Sequence, residues 1–133
     1  MSSILGLGLD IVDLARMGRL LERHGAAALA RICREGEARI ADGPGRVAHI
    51  AGLFAAKEAA MKALGTGWAQ GVGFQQIEVV RAASGAPGLR LHGEALARSH
   101  ALGVERLHLS ITHDARTAAA VVVLEGGARE ADR

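Results

Sequence analysis

Residues 4 to 12, ILGLGLDIV, alternate with a period of two. Leu5, Leu7 and Leu9 share one face and Gly6, Gly8 and Asp10 the other, as in a half-buried strand. Two glycines weaken a strand and usually mean that something approaches its backbone closely. A helical period takes over at Asp13, a capping residue, and runs to about His24 with Gly25 as its stop. Leu14, Met17 and Leu21 form its apolar stripe, while Arg16, Arg19 and Arg23 recur around Leu20 as a basic strip. Residues 26 to 41 read as helical with a weak point at Gly36, and ADGPG at 41 to 45 is the clearest break in the chain. A long helix is predicted from about Val47 to Leu64. FQQIEVVR at 74 to 81 reads as a strand, SGAPG at 84 to 88 as a turn and LRLHG as a short returning strand. EALARSHALG is a helix ending at Gly103. VERLHLSITH and TAAAVVVLE are two strands joined by Asp114, Ala115 and Arg116, hence a hairpin. Its first strand turns Leu107, Leu109 and Ile111 one way and His108, Ser110 and Thr112 the other. The expected domain is 1–125, with 126–133 a disordered tail.

At 133 residues the chain suits one domain with a core of its own. No apolar run is long enough for a membrane span. No basic segment precedes the apolar start, so a secretory signal is not expected. Cys33 is the only cysteine, which excludes an internal disulfide and a cysteine zinc cluster and agrees with a cytoplasmic location. A formal charge of +2 is too small to argue for nucleic acid. Phe54, Trp68 and Phe74 are the only aromatics, too few for a base-stacking platform.

The candidate chemistry lies in FAAKEAAMKALGTG, residues 54 to 67. Glu58 and Lys62 have the spacing of a helical ion pair, worth about 0.3–0.5 kcal/mol if solvated. The helix then stops at Gly65, a residue suited to the left-handed cap. A second glycine, Gly67, brackets Thr66. Such a turn exposes backbone N–H groups beside a hydroxyl and within reach of a lysine, which suits an oxyanion such as phosphate.

Three stretches, GLGLDIVDLARM, FAAKEAAMKALGTG and HLSITHDARTAAAVVVLE, resemble in order and spacing the holo-acyl-carrier-protein synthases, the small 4'-phosphopantetheinyl transferases. GAP at 85 to 87 is similar to that family's Gly-x-Pro turn. The resemblance implies an α+β fold with a small antiparallel sheet packed against a long helix. It also implies a reaction: the phosphopantetheine arm of coenzyme A moves to a serine of apo acyl carrier protein, releasing adenosine 3',5'-bisphosphate, with magnesium required. By motif, Asp10 and Glu58 bind the metal and Lys62 serves the leaving group. Lys62, Gly65, Thr66, His108 and Arg46 are the coenzyme A candidates, with Ser110 and Thr112 beside His108. Arg16, Arg23, Met17 and Leu20 fall where the family meets its acidic carrier protein. The family is usually trimeric, with clefts at subunit interfaces, and serves fatty acid biosynthesis in the cytoplasm. Position 53, often arginine there, is Leu53 here, so Arg46 and His49 are expected substitutes for holding the 3'-phosphate. Two rival readings are a magnesium-dependent nucleotide phosphohydrolase, which explains the acids but not the basic helix, and a non-enzymatic basic-helix module, which explains only the helix.

Overall fold

A computed structural model describes residues 2–38, 43–66 and 71–127. Its element order is β1 (Ser2–Asp13), α1 (Leu14–Ile32), α2 (Arg46–Leu64), β2 (Ile77–Arg81), β3 (Pro87–Leu91), α3 (Gly93–Leu102), β4 (Val104–His113) and β5 (Thr117–Gly127). Three strands pair in the order β1-β5-β4, all antiparallel, and β2 and β3 form a separate hairpin. The long helix α2 lies across the three-stranded sheet, the α+β arrangement expected. Among the described residues no helix is long and apolar enough to cross a membrane.

The close approach that the two glycines of β1 called for is made by α2. A Cβ at Gly8 would lie 1.8 Å from the carbonyl oxygen of Ala59, and one at Gly6 would lie 2.2 Å from that of Ala63. The helix answers with alanines: Ala55, Ala56, Ala59, Ala60 and Ala63 are all buried. Small residues on both sides bring backbone against backbone there, and Gly52 likewise makes room for the Ile111 side chain of β4, which would lie 3.1 Å from a built Cβ. The buried half of β1 is therefore the glycine half. Leu7 and Leu9, on the opposite face, are each 64% exposed, and Ile11 is 69% exposed. The core-facing side chains of β5 are Ala118, Ala120, Val122 and Leu124, with Leu107, Leu109 and Ile111 of β4 packed at its margin.

Of the expectations before α2, one holds and one is corrected. Gly25 breaks the helical run, its φ of 41° lying outside the helical region, and a second helical segment, set across a kink within α1, continues to Ile32. The stretch to residue 41 is not helical throughout: Glu35, Gly36 and Glu37 form a turn. That turn buries Glu37 to receive Lys57, whose Nζ donates to Glu37 Oε1 at 2.7 Å and to the Phe74 carbonyl at 3.2 Å. The other carboxylate oxygen accepts from the Val79 amide at 2.8 Å, and Oε1 also accepts from the Arg34 amide. One ion pair thus ties the end of α1, the middle of α2 and the start of β2. Gly126 and Gly127 belong to β5 rather than to a tail, and residues 128–133 lie outside the described residues.

Candidate functional site

Asp10 follows Gly8 on the same face of β1, so the contact that seats the strand on α2 also delivers its carboxylate to the helix. It meets Lys62, whose Nζ donates to Asp10 Oδ1 at 3.1 Å and to the Leu9 carbonyl at 2.9 Å. The expected pairing of Lys62 with Glu58 is replaced by this one across elements. The Lys62 side chain remains 53% exposed and that of Asp10 15%. Glu58, one turn before Lys62, is half-buried, and its carboxyl is held above its ordinary value by loss of solvent first and by the Asp10 charge second, with Lys62 opposing. Two carboxylates that repel each other and one exchangeable ammonium therefore converge at one spot.

Their chemistry fits a hard divalent cation. Among the described residues no set of three or more His, Cys, Asp or Glu side chains converges, so protein ligation here would amount to two carboxylates. Magnesium commonly takes one or two and completes its shell with water and substrate phosphate.

Asp10 opens into a cleft of about 810 Å³ lined by Asp10 to Asp13, by one face of α1, and by Phe54 and Thr117. Asp13 fixes where α1 begins: its Oδ2 accepts from the Arg16 amide at 2.9 Å, and the Leu14 amide donates to the Arg116 carbonyl of the β4–β5 turn. Arg16, Arg19 and Arg23 are exposed along this wall, and Leu20 is half-buried between them. Met17, expected as a docking residue, is instead part of the core at 3% exposure. It forms the floor of the cleft and leaves almost no side-chain surface for a partner.

Gly65 caps α2 in the left-handed region, at φ 75°, where a side chain would be strained. Thr66 is buried, and its Oγ1 has no hydrogen-bond partner among the described residues. Gly67 and Trp68 lie outside the described residues. Arg98 of α3, absent from the sequence-based candidates, reaches this turn, its Nε donating to the Leu64 carbonyl at 3.0 Å.

The remaining candidates lie elsewhere. Arg46 is the first residue of α2, twelve positions before Glu58, which puts it about 18 Å away along the helix. His49 is engaged, its Nε2 donating to the Glu37 carbonyl at 2.8 Å. Leu53 is 3% exposed and lies one turn before Lys57, on the side of α2 that faces Glu37. An arginine there would point away from Asp10 within the same chain. His108, Ser110 and Thr112 are exposed on the outer face of the sheet, opposite to Asp10. His108 Nε2 bonds Glu125 Oε1 at 2.9 Å, and Arg106 first and His108 second hold the Glu125 carboxyl far below its ordinary value.

The sequence pattern of the 4'-phosphopantetheinyl transferase superfamily matches residues 6–122. The holo-[acyl-carrier-protein] synthase of Solidesulfovibrio magneticus is 56% identical over 123 residues, 92% of this chain and 99% of that one. The crystal structure of holo-[acyl-carrier-protein] synthase from Neisseria meningitidis superposes with a TM-score of 0.82 at 36% identity, covering 92% of this chain and 98% of that one. The holo-(acyl-carrier-protein) synthase of Bacillus anthracis, in complex with CoA (3',5'-ADP), superposes with a TM-score of 0.76 at 37% identity, covering 93% and 98%.

Proposed function

Because this chain belongs to the 4'-phosphopantetheinyl transferase superfamily, and within it to the holo-acyl-carrier-protein synthases, we propose that it carries out magnesium-dependent transfer of 4'-phosphopantetheine from coenzyme A. The acceptor is a serine of apo acyl carrier protein, and the by-product is adenosine 3',5'-bisphosphate. The observation that carries this reading is the convergence of Glu58 and Lys62 on Asp10, which itself lines a cleft whose other wall is basic.

Asp10 and Glu58 are the residues that would hold magnesium, whose charge when bound eases attack on the diphosphate and departure of the leaving phosphate. The serine oxygen attacks the phosphorus that carries pantetheine, a new P–O bond forms, and the bond to the adenosine-side phosphate breaks. Glu58, directly or through a water, accepts the serine proton. Lys62, exposed and bound among the described residues to Asp10 and a carbonyl, can swing to the leaving phosphate and stabilise or protonate it. Gly65 and Thr66 lie one turn further along and face the nucleotide side of coenzyme A.

Arg16 and Arg23, with Leu20 between them, receive the acidic carrier protein. The exposed apolar stripe of Leu7, Leu9 and Ile11 supports assembly as a homotrimer through the outer face of the sheet, since an unburied row of this kind is costly in water. In such a trimer His108 serves a neighbouring copy's cleft, because within one chain the sheet separates it from Asp10. The enzyme then acts in the cytoplasm, in fatty acid biosynthesis. Incubation with coenzyme A, magnesium and an apo carrier protein, followed by intact-mass spectrometry, should show one phosphopantetheine per carrier and none when magnesium is chelated. An unmodified carrier in the complete mixture would overturn the proposal.

A further inference from the structure

The chain leaves α2 at Gly65 and Thr66, the residues proposed to face the nucleotide side of coenzyme A, and returns to the described residues at Gly71. Both ends of that segment are tied to α3. At the entry, Arg98 Nε donates to the Leu64 carbonyl at 3.0 Å. At the exit the tie is Gln76, whose half-buried amide uses both of its ends: Nε2 donates to the Gly71 carbonyl at 2.6 Å, and Oε1 accepts from the Ala95 amide at 2.9 Å. The Ala95 bond has a plain structural purpose. α3 begins after His92, whose side chain makes no cap bond and whose Nε2 donates instead to Glu78 Oε1 at 2.9 Å, so Gln76 supplies the acceptor that the first turn lacks. The Gly71 bond is not needed for that. A glutamate of the same length would cap α3 at least as well, because negative charge suits a helix N-terminus, but it could not donate to Gly71.

Resting on the transferase reading, we infer that Gln76 is a positioning residue for coenzyme A: through Gly71 it pins the exit of the segment that Gly65 and Thr66 begin. It touches no substrate itself. Gly71 follows Thr66 by only five positions, so fixing it narrows the conformations open to the entry residues and lowers the cost of ordering them when the ligand binds. Gly71 stands at φ 76°, in the left-handed region where a side chain would be strained, which fixes the direction of the carbonyl that Gln76 holds. Both ends of the segment belong to one chain, so the effect is the same whether one copy or two hold the ligand.

The test is calorimetric titration with coenzyme A in magnesium, alongside thermal unfolding, of wild type, Gln76→Glu, Gln76→Lys and Gln76→Met. The variants separate the two bonds: glutamate keeps only the acceptor, lysine only the donor, and methionine neither. Gln76→Glu and Gln76→Met should each bind coenzyme A about three- to tenfold more weakly, the worth of one hydrogen bond. Gln76→Lys should bind nearly as wild type does. Unfolding should follow the other bond, with Gln76→Glu near wild type and Gln76→Lys and Gln76→Met lower. In the transfer assay the Michaelis constant for coenzyme A should follow affinity while turnover at saturation stays unchanged. Weakening that tracks the unfolding temperature instead would reduce Gln76 to a cap of α3 and overturn the proposal. Normal binding by Gln76→Met would also overturn it, since any loss in Gln76→Glu would then come from the added charge. Variants that all bind as wild type does would overturn the role of Gln76 alone, whereas wild type that fails to bind coenzyme A would strike at the transferase reading itself.

Discussion

Helix α2 carries two lysines five residues apart, and each is paired with a carboxylate from another element. Lys57 is fully buried, and its partner Glu37 has both carboxylate oxygens engaged, by an ammonium and two backbone amides. Burial lowers the pKa of its ammonium, and the hydrogen bond to Glu37 pulls it back up. Nothing in that arrangement is left over for a ligand. Lys62 is half-exposed, holds Asp10 by one bond of 3.1 Å, and has the half-buried Glu58 beside it. A closed pair of this kind holds structure, and an open one can exchange its partner for a substrate. Burial and completeness of bonding separate the two roles, where residue type does not.

The largest expected effect breaks the closed pair. Lys57→Met leaves the Glu37 carboxylate buried without its cation and should cost about 3–5 kcal/mol in denaturant unfolding. Adding Glu37→Gln should recover part of that loss, because the stranded charge is then gone. Lys62→Met should alter stability by no more than about 1 kcal/mol. A large loss at Lys62, or none at Lys57, would erase the distinction.

Gly8→Ala acts on what brings the open pair together. A methyl 1.8 Å from the Ala59 carbonyl must push β1 off α2, at a cost of about 1–3 kcal/mol or more, and should carry Asp10 away from Glu58. Transfer should therefore fall further than stability alone explains, measured well below the unfolding transition. Lys62→Ala should lower turnover more than it raises the Michaelis constant for coenzyme A; the reverse pattern would make Lys62 a ground-state anchor.

The smallest effect is a pH dependence of stability. The folded-state carboxyl of Glu58 titrates above its value of 4.5 in the unfolded chain. Its favourable contribution is complete below that pH and is lost as pH rises through the folded pKa. The difference in stability between Glu58→Gln and wild type should thus grow in favour of the variant across that window. A difference that is flat with pH would mean that Glu58 is not desolvated as described.

The open site was far more legible in the sequence than the closed one. Glu58 and Lys62 are grouped by their helical spacing, Asp10 joins them through the family resemblance, and α2 and the β4–β5 hairpin follow from helix propensity and alternation. Glu37 lies in a stretch that reads as helix, and its burial depends on Lys57, twenty residues on, so no local pattern announces it. Alternation does not decide which face of β1 is buried, for a related reason. Both of its faces lack charge up to Asp10, and glycines that pack on a helix backbone bury more tightly than the leucines opposite them. Arg98 escaped notice because a single arginine on a helix is unremarkable until the end of α2 is seen beside it. Leu53 looked like a missing phosphate ligand, yet its position belongs to the side of α2 that faces Glu37.

The central claim is that Glu58 works in the reaction and not in the fold, and Glu58→Gln tests it most directly because the substitution keeps shape and removes charge. The measurement is the initial rate of phosphopantetheine transfer to an apo carrier protein, read by intact mass at saturating coenzyme A and magnesium, with the unfolding midpoint taken on the same sample. The expected result is a rate at least about a hundredfold lower, as loss of a general base alone would cause, with an unfolding midpoint equal to or above that of wild type. A near-wild-type rate, or a loss of rate matched by a loss of folded protein, would contradict the assignment.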